Sequence, residues 1–275
     1  MHRKLLITTL IIALSACSTA FSQEQIVYKQ IDTTTLSMEI YYPEGMDEAR
    51  NYPAMVFFYG GGWKGGSIKQ FEPHAKHYSQ NGMICFLVDY RVRSRQQTTP
   101  FESLKDAKSA IRYIREHAGE LHVDPSKIVA AGGSAGGHLA AATALIEDYN
   151  ETSDEMSVSC IPNALVLFNP VIDNGPGGYG YERIGDKYHS FSPLHNIRRG
   201  SPPTIIFLGT RDELIPVETA RYYKTVMERV GSTCELHLYE GEVHGFFNYG
   251  KSDAYENTVK KADKFLQSLD YLNAP

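Results

Sequence analysis

"GGSAGG", Gly132–Gly137, sets one serine among five small residues, and what surrounds it decides how the chain folds. The stretch matches Gly-x-Ser-x-Gly as Gly132, Ser134 and Gly136. The short apolar run "KIVAAG" precedes it, and "HLAAATALIEDY", which reads as a helix, follows. In a strand-to-helix turn this tight, the serine sits at a strained backbone angle and its neighbours pass the adjoining strands too closely for a side chain. Glycine and alanine are what fit. The reading puts the Ser134 hydroxyl above the sheet, with the Ala135 N–H at the positive end of a helix. Taken alone, the motif also fits an ordinary glycine-rich turn, so other loops must decide.

Outward from the serine, strand and helix alternate. "LSMEIYYP" alternates as a strand does, and "YPAMVFFYGGGW", "GMICFLVDYR", "NALVLFNP" and "PTIIFLGT" are continuous apolar runs typical of buried strands. "LKDAKSAIRYIREHA" sets Leu104, Ala107, Ile111, Ile114 and Ala118 at spacings of three and four, an amphipathic helix. "VETARYYKTVMERVG" is a further helix, capped by Gly231. Apolar strands separated by helices predict an α/β fold: a mostly parallel central sheet, helices on both faces, and ligand sites beyond the carboxyl ends of the strands.

The 275 residues, 42% hydrophobic with a formal net charge of −5, suffice for one large core, and residues 23–275 read as a single domain. Without a Lys/Arg block, nothing in the charge pattern favours nucleic acid as a partner. The start, "MHRKLLITTLIIALSACSTAFSQ", has a basic beginning at His2, Arg3 and Lys4 and an apolar run from Leu5 to Ala16. That run is shorter than the roughly 20 residues of a bilayer-spanning helix, so residues 1–22 read as an export signal. "LSAC", Leu14–Cys17, resembles a bacterial lipobox, in which Cys17 would carry a lipid anchor and give the sole membrane attachment. "AFSQ" fits an ordinary cut after Ser22 equally well. Either route predicts a periplasmic, extracellular or outer-membrane location. Cys85 and Cys234 fall inside strand-like runs as small buried hydrophobes, and with Cys160 they show no metal-ligand spacing, so neither a disulfide framework nor a metal is implied.

Two further loops supply what a nucleophilic serine needs. "YGGGW", Tyr59–Trp63, follows a buried strand, and bare glycine amides there can point at an oxygen that becomes negatively charged in acyl transfer. Gly61, Gly62 and Ala135 would then form the oxyanion hole. "GTRDELIP" places Asp212 after one strand and "YEGEVHGFF" places His244 after the next, giving the chain order Ser, Asp, His. His244 alone among ten histidines combines a post-strand loop with that order; His138, four residues after Ser134, reads as a packing residue. For the acid, Asp173 after "LVLFNPVI" is the alternative to Asp212.

In "YGGGW", "GGSAGGHLAA", "GTRDELIPV" and "GEVHGFF" the chain resembles α/β-hydrolase esterases of the hormone-sensitive-lipase-like group. The resemblance implies an α/β-hydrolase fold, a serine carboxylic-ester hydrolase with Ser134, His244 and Asp212 as its triad, and no cofactor. Tyr59 stands where the group usually has histidine, and Gly133 where an aspartate is common. The latter is more similar to exported bacterial esterases that include acetyl xylan and feruloyl esterases. Only residues 23–58 precede Tyr59 after a cut at Ser22, leaving little for a lid, so a minimal cap is expected. The long segment Asp173–Asn196 carries Tyr179, Tyr181, Tyr188 and Phe191; with Tyr59 and Trp63 they form a candidate set for stacking on sugar rings, or else they pack on one another. The expected substrate is a short-chain acyl ester, acetyl or feruloyl, on a plant polysaccharide fragment. A general short-chain carboxylesterase, a prolyl-oligopeptidase-type peptidase and a noncatalytic binding protein of the same fold are the alternatives.

Overall fold

A strand covered on both faces needs no polar alternation, and the continuous apolar runs of this chain become such strands. The computed structural model describes residues 23–251 and 253–273. The export signal and Cys17 lie outside the described residues. The strands are β1 (Gln23–Ile31), β2 (Thr34–Tyr41), β3 (Tyr52–Phe58), β4 (Ile84–Val88), β5 (Val123–Gly133), β6 (Ala164–Phe168), β7 (Thr204–Gly209) and β8 (Cys234–Tyr239). Helices are α1 (Glu72–Gln80), α2 (Arg93–Gln96), α3 (Pro100–Glu116), α4 (Ala135–Leu145), α5 (Tyr181–Ile184), α6 (Val217–Arg229) and α7 (Ala254–Ser268). Every residue of β4, β6 and β7 is buried, as their apolar runs require.

The sheet runs β1-β2-β4-β3-β5-β6-β7-β8. β1, β2 and β4 pair antiparallel, and from β4 through β8 every pairing is parallel. Side chains alternate between two cores. Val56, Phe58, Ala130, Leu165 and Leu167 pack with Leu104, Ile111, Leu139 and Tyr223 of α3, α4 and α6. Met55, Phe57, Val129, Val166 and Phe207 pack with Tyr78, Phe265 and Leu266 of α1 and α7. This is the α/β-hydrolase arrangement, with helices on both faces.

Two elements extend the sequence expectation. α7 buries Val259, Ala262, Phe265 and Leu266, again at spacings of three and four. β1 adds an antiparallel edge held by a buried ionic cluster: Lys29 Nζ donates to Asp106 Oδ1 (2.7 Å) and Glu151 Oε2 (3.0 Å), while Arg91 grips Asp106 with two bonds of 2.8 Å. Such charges are tolerated in the interior because each is paired and hydrogen-bonded. Since β3 and β5–β8 are parallel, their carboxyl ends share one edge, and the loops carrying Gly60–Gly62, Ser134, Asp212 and His244 gather there.

Candidate active site

Ser134 joins β5 to α4 at φ 54° and ψ −119°, a conformation that costs an L residue of order 1–3 kcal/mol and persists only where its surroundings enforce it. Here the enforcement is visible: Ser134 N donates to Phe168 O (3.0 Å), and Ser134 O accepts from His138 N (3.0 Å) and Val171 N (3.1 Å). The small neighbours are obligatory. A Cβ on Gly136 would stand 2.0 Å from Phe58 O, one on Gly132 2.3 Å from Gly136 O, and one on Gly133 2.3 Å from Phe247 Cζ. The aspartate common in similar esterases has no room at Gly133 because the Phe247 ring fills that space.

The serine hydroxyl meets a hydrogen-bonded chain. Ser134 Oγ lies 2.9 Å from His244 Nε2, and His244 Nδ1 lies 2.7 Å from Asp212 Oδ2. An ionised carboxylate only accepts, so Nδ1 carries the proton and the Nε2 lone pair faces the hydroxyl. The Asp212 side chain is fully buried, and its Oδ1 accepts from Leu214 N (2.9 Å) and Ile215 N (3.0 Å). Asp173, the alternative acid, instead accepts from Gly175 N and lies 3.8 Å from His195 Nδ1, away from His244.

On the opposite side of the cleft, Gly61 (φ 131°) and Gly62 (φ 62°) adopt conformations that favour glycine, and a Cβ on Gly61 would meet Gly65 O at 2.2 Å. Among the described residues, the amides of Gly61, Gly62 and Ala135 have no acceptor, whereas Gly60 N donates to Gln70 Oε1 (2.6 Å). Gln70 Nε2 in turn donates to Asn248 Oδ1 (2.9 Å), and Asn248 Nδ2 to Gly245 O (2.8 Å). This bridge ties the glycine loop to the histidine loop. Asn169 is a second tie: its Oδ1 accepts from Gly245 N (3.0 Å). The cleft, about 250 Å³, is lined by Ser134, His244, Gly60–Gly62, Asn169, Tyr179, Leu214 and Phe247, with Gln70 and Asn248 at one end.

Tyr59 and Phe191 are corrections to the candidate substrate-facing set, because each is buried and neither lines this cleft; Trp63 is buried as well and borders a second cavity instead of this cleft. Tyr59 stacks on Tyr90 at 4.2 Å, its hydroxyl bonds Asp89 Oδ1 (2.9 Å) and receives Arg95 Nη2 (2.6 Å), and Tyr90 Oη donates to Tyr59 O (2.6 Å). It thus braces the loop that a histidine opens in similar esterases. Trp63 and Phe191 pack against His138, whose Nε2 donates to Phe191 O (3.0 Å) and which burial pushes down to about 3. Tyr181 and Tyr188 contact each other at 6.0 Å outside the cleft lining. Tyr179 alone of the six reaches the cleft, its hydroxyl standing over Gly62.

The BD-FAE family matches residues 38–175, half of the chain, and the dienelactone hydrolase family matches residues 178–274. The chain belongs to the BD-FAE family. Its hormone-sensitive-lipase-like motifs sit on the α/β-hydrolase fold that this family and its solved neighbours share. BD-FAE membership is joined by a close structural likeness to Thermogutta terrifontis esterase 2 phosphoramylated by tabun: 44% identity, 92% of this chain and 97% of that one covered, TM-score 0.89. A probable isoprenylcysteine alpha-carbonyl methylesterase of Arabidopsis thaliana is 27% identical, covering 75% of this chain and 48% of that protein. An acetylxylan esterase of Xylanibacter ruminicola is 26% identical, covering 98% of this chain and 54% of that protein. The chain spans about half the length of these two curated relatives.

Proposed function

We propose that this chain is a serine carboxylic-ester hydrolase with Ser134, His244 and Asp212 as its catalytic triad. The observation that carries the reading is the unbroken hydrogen-bonded chain from Ser134 Oγ through His244 to buried Asp212. In the first half-reaction, His244 Nε2 takes the hydroxyl proton as Ser134 Oγ bonds to the ester carbonyl carbon, and the carbonyl oxygen becomes an anion facing the Gly61, Gly62 and Ala135 amides. The bond to the alkoxy oxygen then breaks, and His244 Nε2–H returns the proton to the departing alcohol. Water repeats the sequence on the acyl-enzyme, releasing the acid and restoring Ser134. Asp212 fixes the tautomer and stabilises the imidazolium throughout.

For the substrate, a short acyl group on a bulky alcohol, acetyl or feruloyl on a polysaccharide fragment, is the reading the cleft supports. Residues 23–58 form three strands, a tight turn and the loop at 42–51, and none of them lines the cleft at Ser134. Each methylene that stays in water forfeits about 0.8 kcal/mol of burial, so an uncovered cleft gains little from long acids. The basic and apolar start at residues 1–22 supports export to where such polymers occur. The test is graded turnover from acetate to octanoate esters, with acetic acid release from acetylated xylo-oligosaccharides. Efficiency falling along the series, and release by wild type but not by Ser134→Ala, is the expected result. A preference for octanoate, or no release from any acetylated or feruloylated carbohydrate, would reject the carbohydrate substrate and leave a general carboxylesterase.

A further inference from the structure

A second cavity, about 210 Å³, lies on the far side of the glycine loop, lined by Trp63, Lys64, Arg93, Thr98, Pro100 and Arg183 among others. Its walls are cationic in a chain whose formal net charge is −5. Arg183 is fixed in place: Nη1 donates to Gly62 O (2.6 Å), and its guanidinium packs over the rings of Trp63 (5.1 Å) and Tyr179 (5.3 Å). Its one ionic partner among the described residues is the exposed Glu182, at 3.0 Å. Lys64 and Arg93 make no ion pair among the described residues, although Glu182 is near enough to feel the charge of Lys64.

Two lining residues also carry buried polar atoms without partners. Trp63 is 1% exposed and its Nε1, which can only donate, has no acceptor; Thr98 Oγ1 is likewise unpaired. A buried donor left unsatisfied is costly. An anionic oxygen group in the cavity would meet the positive charges of Lys64, Arg93 and Arg183. Trp63 directly follows Gly62, and Arg183 of this cavity's wall holds the carbonyl of Gly62, which lines the cleft at Ser134, so the two spaces share one wall.

The geometry points to a subsite for a carboxylate carried by the ester substrate itself, the inference resting on the esterase reading above. The carboxylate can come from the alcohol part, as in an acetylated uronic acid, or from the acyl part, as in a dicarboxylic monoester. Two matched pairs separate these sources: an acetylated hexuronic acid against the acetylated neutral hexose, and an aryl hemisuccinate against its uncharged isostere, the aryl 4-methylpentanoate. Wild-type kcat/KM is expected to favour the anionic member of one pair about tenfold, the scale of one charge-assisted hydrogen bond. The pair that responds identifies the source. Lys64→Gln/Arg93→Gln should abolish the preference, and salt should weaken it in wild type. Ratios at or below one for both pairs, or a preference that survives the double variant, would overturn the subsite. Absence of turnover on every ester, anionic or neutral, would instead overturn the esterase reading.

Discussion

Gly133→Ala tests whether the floor of the site is set by packing rather than by backbone angle. Gly133 is not in the left-handed region, so alanine suits the backbone and should gain about 0.4–1 kcal/mol by restricting the unfolded chain. Against this, its Cβ would stand 2.3 Å from Cζ of Phe247, a buried ring stacked on both Phe71 (5.7 Å) and Phe168 (4.8 Å). The ring must retreat by roughly 1 Å, and overpacking of this kind costs about 1–3 kcal/mol. The net expectation is a loss of about 1–2 kcal/mol, or about 2–8 °C in Tm for a domain of this size. Phe247 is three residues from His244, and a misplacement of about 1 Å can cost about 100-fold in turnover. Thermal unfolding and kcat/KM on an aryl acetate should therefore both fall in Gly133→Ala, and Phe247→Leu in the same chain should recover part of each loss. An equally stable and active Gly133→Ala would refute the packing argument. So would a Phe247→Leu background in which the alanine costs as much as before.

Asp212→Asn should lower kcat by about 10⁴, because the amide no longer fixes the Nδ1–H tautomer of His244, whereas Asp173→Asn should be mild; steady-state kinetics of both variants check the assignment. His74 is buried among Phe57, Phe71 and Phe168 with neither ring nitrogen bonded, and burial pushes it down to about 3, as it does His138. Both groups take up protons in the unfolded chain first, so their contribution to stability is intact above pH 6.5 and is lost as pH falls from there toward 3. Each adds a slope of up to about 1.4 kcal/mol per pH unit in that window. Urea unfolding across pH 4–7 should show His74→Phe with a shallower acid slope than wild type.

What the sequence made legible is what neighbouring residues dictate. The apolar runs of β3 to β7 and the crowding around Ser134 are local, and the order of Ser134, Asp212 and His244 follows from which loops follow strands. Asp212 prevails over Asp173 for a reason invisible in one dimension: β7 and β8 are adjacent, so the loops that follow them meet. The Gln70–Asn248 bridge joins residues 178 apart, and no motif in either stretch announces it. Asn169 carries only the faint signal of a polar residue directly after a buried strand. The reading of Tyr59 as substrate-facing has a local cause. Aromatic residues bordering glycines suit both a sugar platform and a core, and only the tertiary fold reveals that Tyr59 has Asp89, Arg95 and Tyr90 waiting for it.

The most direct test of the central claim is covalent trapping of the nucleophile. Reaction with an aryl dialkyl phosphate, followed by peptide mapping by mass spectrometry, should place one dialkylphosphoryl group on Ser134, with stoichiometric release of the phenol and matching loss of esterase turnover. Ser134→Ala should release no phenol, and His244→Ala should react far more slowly because the hydroxyl then lacks its base. A label on another residue, or Ser134→Ala turning over an aryl acetate as wild type does, would contradict the account.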